Sequence, residues 1–122
     1  MTTPQQPTLD ELLVGEELLP LPDVAEILGV PVTKVHDIVN SGKLAVYRKD
    51  GVRYIPASLL GDGELSKFVG GAITVLADGG YDPDEILHFL YTPDDSLPGR
   101  PIDALHGHGA REVIRRAQAM AF

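Results

Sequence analysis

Five cations fall between Pro31 and Pro56, namely Lys34, Lys43, Arg48, Lys49 and Arg53, against two carboxylates, Asp37 and Asp50. Half of the chain's ten Lys and Arg residues therefore sit in one window of net charge +3, while the remainder carries −11 and the whole chain −8. Chance clustering on a solvated face gives such a window too, so its meaning depends on whether the fold presents the charges together. If it does, the chemistry is that of a polyanion-binding surface, because guanidinium and ammonium groups replace the counterions around phosphates. Other chemistry is thinly supplied. The chain has no cysteine, which removes thiol catalysis, disulfides, zinc ribbons and iron–sulfur clusters. There is no phosphate-cradling glycine loop, nucleophile elbow or paired-carboxylate motif, so no catalytic residue and no cofactor are expected. His106 and His108 form a His-X-His pair that holds a metal only if Asp103 or Glu112 joins it. A helix-cap or surface role is the simpler reading, and no metal is expected.

The elements that must position the cations are legible in the local pattern. Val24, Ala25, Ile27 and Leu28 recur at helical spacing behind Pro22, so Leu21 to Leu28 reads as a helix that Gly29 ends. Pro31 opens a second, with Val35, Ile38 and Val39 three and four apart, closed by Asn40, Ser41 and Gly42. Both are too short to stand alone and must pack on something further along. The period then changes: LAVYRK, Asp50-Gly51 and VRYI read as two strands joined by a tight type I′ turn between Leu44 and Pro56. A two-residue turn sets Lys49 opposite Val52, Arg48 opposite Arg53 and Tyr47 opposite Tyr54. Like charges directly across a hairpin destabilise it by some tenths of a kcal/mol. Folding alone gives no reason to accept that cost, whereas a bound polyanion does.

Around this centre the chain divides into residues 1–17, 18–60 and 61–122. The first stretch is Thr-, Pro- and Gln-rich, then acidic, and reads as a flexible tail in which Leu9 to Val14 can form one docked helical turn. Thr2, Thr3 and Thr8 lie in the kind of exposed segment a kinase reaches. The last stretch reads as helices near Ser66 to Ala77, from Pro83, near Pro101 to Leu105, and from Ala110 to Ala121. In the last of these Val113, Ile114, Ala117 and Met120 face inward. Gly70-Gly71 and Gly79-Gly80 read as helix ends. No internal repeat is visible, and no apolar run approaches the roughly 18 residues of a membrane helix. The polar N-terminus does not resemble a signal peptide, so the expected place is the cytoplasm, with no membrane partner.

Leu21 to Asn40 fits the twenty-residue helix-turn-helix pattern. Ala25 is small where the helices cross, Gly29 takes the turn, and Val24, Leu28, Val30, Val35 and Ile38 fill the apolar sites. A basic hairpin beginning four residues later is the layout of a winged helix. The stretch LPDVAEILGVPVTKVHDIVNSGKLAVYRKDGVRYIPASLL resembles the winged helix-turn-helix of excisionase-like regulators. Together with GGYDPDEILHFLYTPDDSLPGRPIDALHGHGAREVIRRAQAMAF, it is similar over nearly the whole chain to a family of small actinobacterial DNA-binding proteins. At least one member of that family is a substrate of a transmembrane serine/threonine protein kinase. The resemblance implies a DNA-binding protein regulated by phosphorylation of an N-terminal threonine, for which Thr8 is the candidate and a serine/threonine kinase the partner.

The expected fold is mainly α with one small β-hairpin, a winged helix-turn-helix followed by a C-terminal helical module. The expected function is binding of double-stranded DNA and regulation of transcription, not catalysis. With the second helix in the major groove, Val32, Thr33, His36, Asp37 and Asn40 face outward. Thr33 and Asn40 are candidate readers of base edges, and Lys34 lies towards the phosphates. Asp37 either accepts from a cytosine amino group or caps and solvates its own helix. Lys43, Arg48, Lys49 and Arg53 bind phosphates through the wing, and a homodimer would double so small a count. The C-terminal half also resembles, more weakly, the toxin-binding domain of bacterial antitoxins through Leu-Tyr-Thr-Pro-Asp, Arg-Pro-Ile-Asp-Ala-Leu and a final Glu-Val helix. That makes a partner-binding module the alternative class of function.

Overall fold

A computed structural model describes residues 8–61, 64–97 and 99–121. The chain runs α1 (Leu9–Leu12), β1 (Leu18–Pro20), α2 (Leu21–Leu28), α3 (Val32–Asn40), β2 (Tyr47–Lys49) and β3 (Val52–Pro56). A 3-10 turn (Ala57–Leu59) follows, then α4 (Lys67–Asp78), α5 (Pro83–Tyr91), α6 (Pro101–Leu105) and α7 (Ala110–Ala121). The expected fold class is the one observed: helix dominates, and the winged helix-turn-helix precedes a helical half.

The sheet has one strand more than the hairpin read from the sequence. β1 pairs antiparallel with β3, Leu19 opposite Ile55, giving the order β1-β3-β2. Pro20 and Pro56 sit at strand ends, where a missing donor costs nothing. Composition marks the approach to β1 as acidic tail, but Leu9 and Leu12 pack against the core and Leu13 is buried, which lays α1 beside α5. The hydroxyl of Tyr47 donates to the Asp10 carboxylate, tying α1 to β2. Thr8 starts α1 with a capping box: the Glu11 N–H donates to its hydroxyl at 3.2 Å, and the Glu11 carboxylate accepts from the Thr8 N–H at 3.2 Å. Thr2 and Thr3 lie outside the described residues.

One continuous core joins both halves. Val24, Val35 and Ile55 from the winged helix, and Ile73, Leu76, Leu87, Leu90, Ile102 and Val113 from the later helices, are all essentially inaccessible. α4 lies along α7, and its path corrects the reading of Gly70-Gly71 as a helix end. The helix runs straight through both glycines because Val69, Ala72, Ile73 and Leu76 bury one face of it; a Cβ at Gly71 would lie 3.5 Å from Ile114 and one at Gly70 3.8 Å from the Lys43 carbonyl, both ordinary contact distances. Gly79 does close α4, hard against Ala121. Met120, expected inside, is exposed; the last turn of α7 is held instead by the Tyr81 hydroxyl, which donates to the Met120 carbonyl at 3.2 Å.

Polar ties complete the union. The Thr74 hydroxyl donates to the Gly42 carbonyl at 2.9 Å, fixing α4 to the turn after α3. Ser58 meets the buried Tyr91 hydroxyl at 2.5 Å and donates to Glu16 at 2.7 Å. Burial raises the Tyr91 phenol well above its ordinary value, so it stays a neutral hydrogen-bonding group. Among the described residues no helix is long and apolar enough to cross a membrane.

Candidate nucleic-acid interface

The surface begins with the turn between α2 and α3. Gly29 adopts φ +68°, where a Cβ would be strained, and its N–H closes α2 on the Glu26 carbonyl. Pro31, at φ −62°, then directs the chain into α3. Val35 and Ile38 are buried against α2, which fixes the rotation of α3. Thr33, Lys34, Asp37 and Asn40 are exposed as a result, Val32 is 38% exposed, and His36 is half-buried. The Ser41 hydroxyl closes the helix by donating to the Ile38 carbonyl at 2.9 Å.

The wing has the expected register. Asp50 (φ 51°) and Gly51 (φ 79°) both take the left-handed conformation a two-residue type I′ turn requires. Tyr47 therefore faces Tyr54, Arg48 faces Arg53, and Lys49 faces Val52. Buried Tyr47 anchors the first strand, leaving Arg48 and Lys49 exposed. Arg53 donates from Nη2 to His36 Nδ1 at 3.2 Å, which links the wing to α3. An arginine only donates, so this His36 nitrogen acts as the acceptor.

His36, Asn40, Arg48 and Arg53 thus come together where helix and wing meet. A groove of about 430 Å³ lies there, lined by Val39, Asn40, Val46, Arg48 and Arg53 and, on its far side, by Asp82, Pro83 and Asp84. Thr33 and Lys34 lie in the first turn of α3, and Lys49 borders the wing turn. Lys43 stands apart from the wing. It lines a second cleft, of about 520 Å³, with Lys67 and Ser66 at the start of α4. Sequence reasoning passed over Lys67, which lies outside the basic window, and over the acidic wall from α5.

Three of the five cations elsewhere are paired, while Lys67 and Arg111 form no ion pair among the described residues. Arg100 pairs with Asp103 at 3.0 Å and Glu16 at 3.6 Å, and lies over the Tyr91 ring. Arg115 and Arg116 share Glu112 at 2.6 and 3.0 Å, and Arg116 also reaches Asp94 at 2.9 Å. Arg115, then Arg116, hold the Glu112 carboxyl down to about 2. The Ser96 hydroxyl and backbone, ahead of Arg116, lower Asp94. By contrast, Lys34, Lys43, Arg48, Lys49 and Arg53 form no ion pair among the described residues. The His-X-His pair makes no metal site among the described residues: His106 Nε2 donates to the Ser58 carbonyl at 2.5 Å.

Residues 6–60 match the family model "DNA-binding protein Rv2175c, wHTH domain", and residues 67–121 match "Rv2175c C-terminal domain of unknown function". The DNA-binding protein Rv2175c of Mycobacterium tuberculosis (strain ATCC 25618 / H37Rv) is 43% identical over 132 residues, spanning 98% of this chain and 84% of that protein. The chain belongs to the Rv2175c family. The NMR structure of Rv2175c superposes with a TM-score of 0.80 at 45% identity, covering 88% of this chain and 82% of that one. Both halves of this Rv2175c-family chain thus have counterparts in one relative, joined in the same order.

Proposed function

We propose that this member of the Rv2175c family binds double-stranded DNA, with α3 in the major groove and the β2–β3 wing on the phosphate backbone, and that it regulates transcription. The observation that carries the proposal is the segregation of charge. Arg100, Arg115 and Arg116 are neutralised by carboxylates of the fold, whereas Lys67, Arg111 and the five cations of α3, its following loop and the wing form no ion pair among the described residues, and those five are the ones gathered in one stretch of the chain. The name of the Rv2175c relative agrees with this reading. Thr33 and Asn40 are the base readers, Asn having the paired donor and acceptor that match adenine. Lys34, Arg48, Lys49 and Arg53 hold phosphates, His36 supports Arg53, and Lys43 extends the contact towards α4. DNA as partner implies work in the cytoplasm.

Phosphorylation of Thr8 by a serine/threonine kinase is the regulatory part of the proposal. Thr8 is exposed, and among the described residues its hydroxyl is engaged by Glu11 alone, in its own helical turn. An added phosphate brings close to two negative charges to a molecule already at −8 and opposes a polyanion. The direct test is a titration of labelled duplex DNA with wild type and Lys34→Ala at two salt concentrations. Binding that weakens with salt, and weakens further in the variant, is the expected result. Equal affinity in both proteins at both salts overturns the DNA-binding proposal.

A further inference from the structure

The groove between α3 and the wing has a third wall, and its charge opposes a polyanion. Asp82, Pro83 and Asp84, the start of α5, line the same space as Asn40, Arg48 and Arg53. Asp82 has structural work: its Oδ1 accepts from the Glu85 N–H at 2.8 Å, and Glu85 accepts from the Asp82 N–H at 3.0 Å. That capping box already completes the helix start. Asp84 is exposed, and its side chain has no hydrogen bond or ion pair among the described residues. Its turn cannot swing aside, because Ile86, Leu87, Leu90 and Tyr91 are buried and hold α5 in the core.

Arg48 and Arg53 share the groove with Asp84 yet form no ion pair with it. The arrangement is one of attraction without a locked contact: two long cations beside a carboxylate on a rigid helix. A phosphate entering the groove is repelled by that carboxylate and must draw the guanidinium groups from its field. We propose that Asp84 is a built-in electrostatic competitor for the wing arginines, lowering the affinity of the protein for duplex DNA of any sequence. The inference rests on the DNA-binding reading above.

The experiment measures affinity for two unrelated labelled duplexes at low salt with wild type, Asp84→Asn, Asp84→Ser, Asp95→Asn and Arg48→Ala/Arg53→Ala. Asp84→Ser retains a polar first-turn residue in case the Asn variant folds poorly. Asp95 lies in the α5–α6 loop, beside the Asp94 that Arg116 holds, and controls for net charge. Removing Asp84 is expected to tighten both duplexes roughly three-fold, less at high salt, with Asp95→Asn near wild type. Placed on the Arg48→Ala/Arg53→Ala background, the same change is expected to gain less. Wild-type affinity in both Asp84 variants, or an equal gain in Asp95→Asn, overturns the inference while the arginine variant can still show that the wing binds DNA. If the arginine variant also binds like wild type, the wing reading itself fails.

Discussion

Arg48→Ala/Arg53→Ala separates the two costs that meet in the wing. In the protein the side chains oppose each other across β2 and β3, and Arg53 is steadied by His36. Losing the like-charge pair returns some tenths of a kcal/mol, and losing the His36 hydrogen bond costs about as much, so stability should stay within about 1 kcal/mol of wild type. DNA binding should change far more. Each phosphate contact steepens the dependence of log K on log salt by about 0.9. Contact by all five cations of α3, the following loop and the wing gives a wild-type slope of about −4.5, equivalent to about 500-fold weakening from about 50 to 200 mM salt. Removing two brings the slope to about −2.7 and the weakening to about 40-fold. The difference of about 1.8 in slope holds however many of the other three cations reach the backbone. Fluorescence anisotropy with a labelled duplex across that salt range gives both slopes, and thermal unfolding checks the fold. Arg111→Ala/Arg115→Ala removes the same formal charge from α7 and should leave the slope unchanged. A double wing variant with the wild-type slope, or an α7 variant that matches it, would refute the assignment of phosphate contacts to the wing.

Leu13→Ala should lower stability to urea by about 2–4 kcal/mol, because Leu13 is 4% exposed and anchors α1; a loss under about 0.5 kcal/mol would mean that α1 does not belong to the folded body. Gly29→Ala should cost about 1 kcal/mol from the left-handed backbone alone, since a Cβ there meets nothing within 4 Å, and Gly29→Asn should cost less in the same unfolding assay. Glu112 has its carboxyl lowered from 4.5 to about 2 by Arg115 and Arg116, so its stabilising effect is present above pH 4.5 and disappears as the pH falls through 2. Unfolding curves of Glu112→Gln should therefore show a shallower acid decline across that window, not a flat one, because Asp94 and Asp103 are lowered as well.

Local chemistry was legible in the sequence, and distant contact was not. Gly29, Pro31 and Asp50-Gly51 specify backbone angles by themselves, so the α2–α3 turn, the wing turn and the Arg48–Arg53 pairing could be read before any fold was known. β1 could not, because its three residues gain their strand conformation from Ile55 and its neighbours, far along the chain. The only local hint was the run of Leu9, Leu12, Leu13, Leu18 and Leu19 within an acidic segment. Gly70-Gly71 misled for the opposite reason: a glycine pair is a weak point in an isolated helix, but here the buried face of Val69, Ala72, Ile73 and Leu76 carries the helix through it. The acidic wall of the candidate interface is invisible at the same level. Asp84 enters the groove only because α5 is held in a core shared with the winged helix.

An acidic chain can present a cationic face only if its carboxylates are spent elsewhere or kept at a distance, and the C-terminal helices do the first. Asp94, Asp103 and Glu112 are committed to Arg100, Arg115 and Arg116, and Asp82 to the start of α5. Those pairs are partly exposed and add little to stability, so their chief consequence is electrostatic: local cancellation of charge around three arginines, in a half that stays acidic as a whole. At physiological ionic strength a field decays over about 8 Å, so the wing is governed by neighbours within that reach and not by the net charge of the molecule. Asp37 and Asp50, on α3 and the wing turn, and Asp82, on the groove wall, are then the carboxylates to weigh beside Asp84. The helical half therefore acts on the candidate interface in two ways: by packing against β2 and holding the turn after α3, and by deciding which negative charges stand near them.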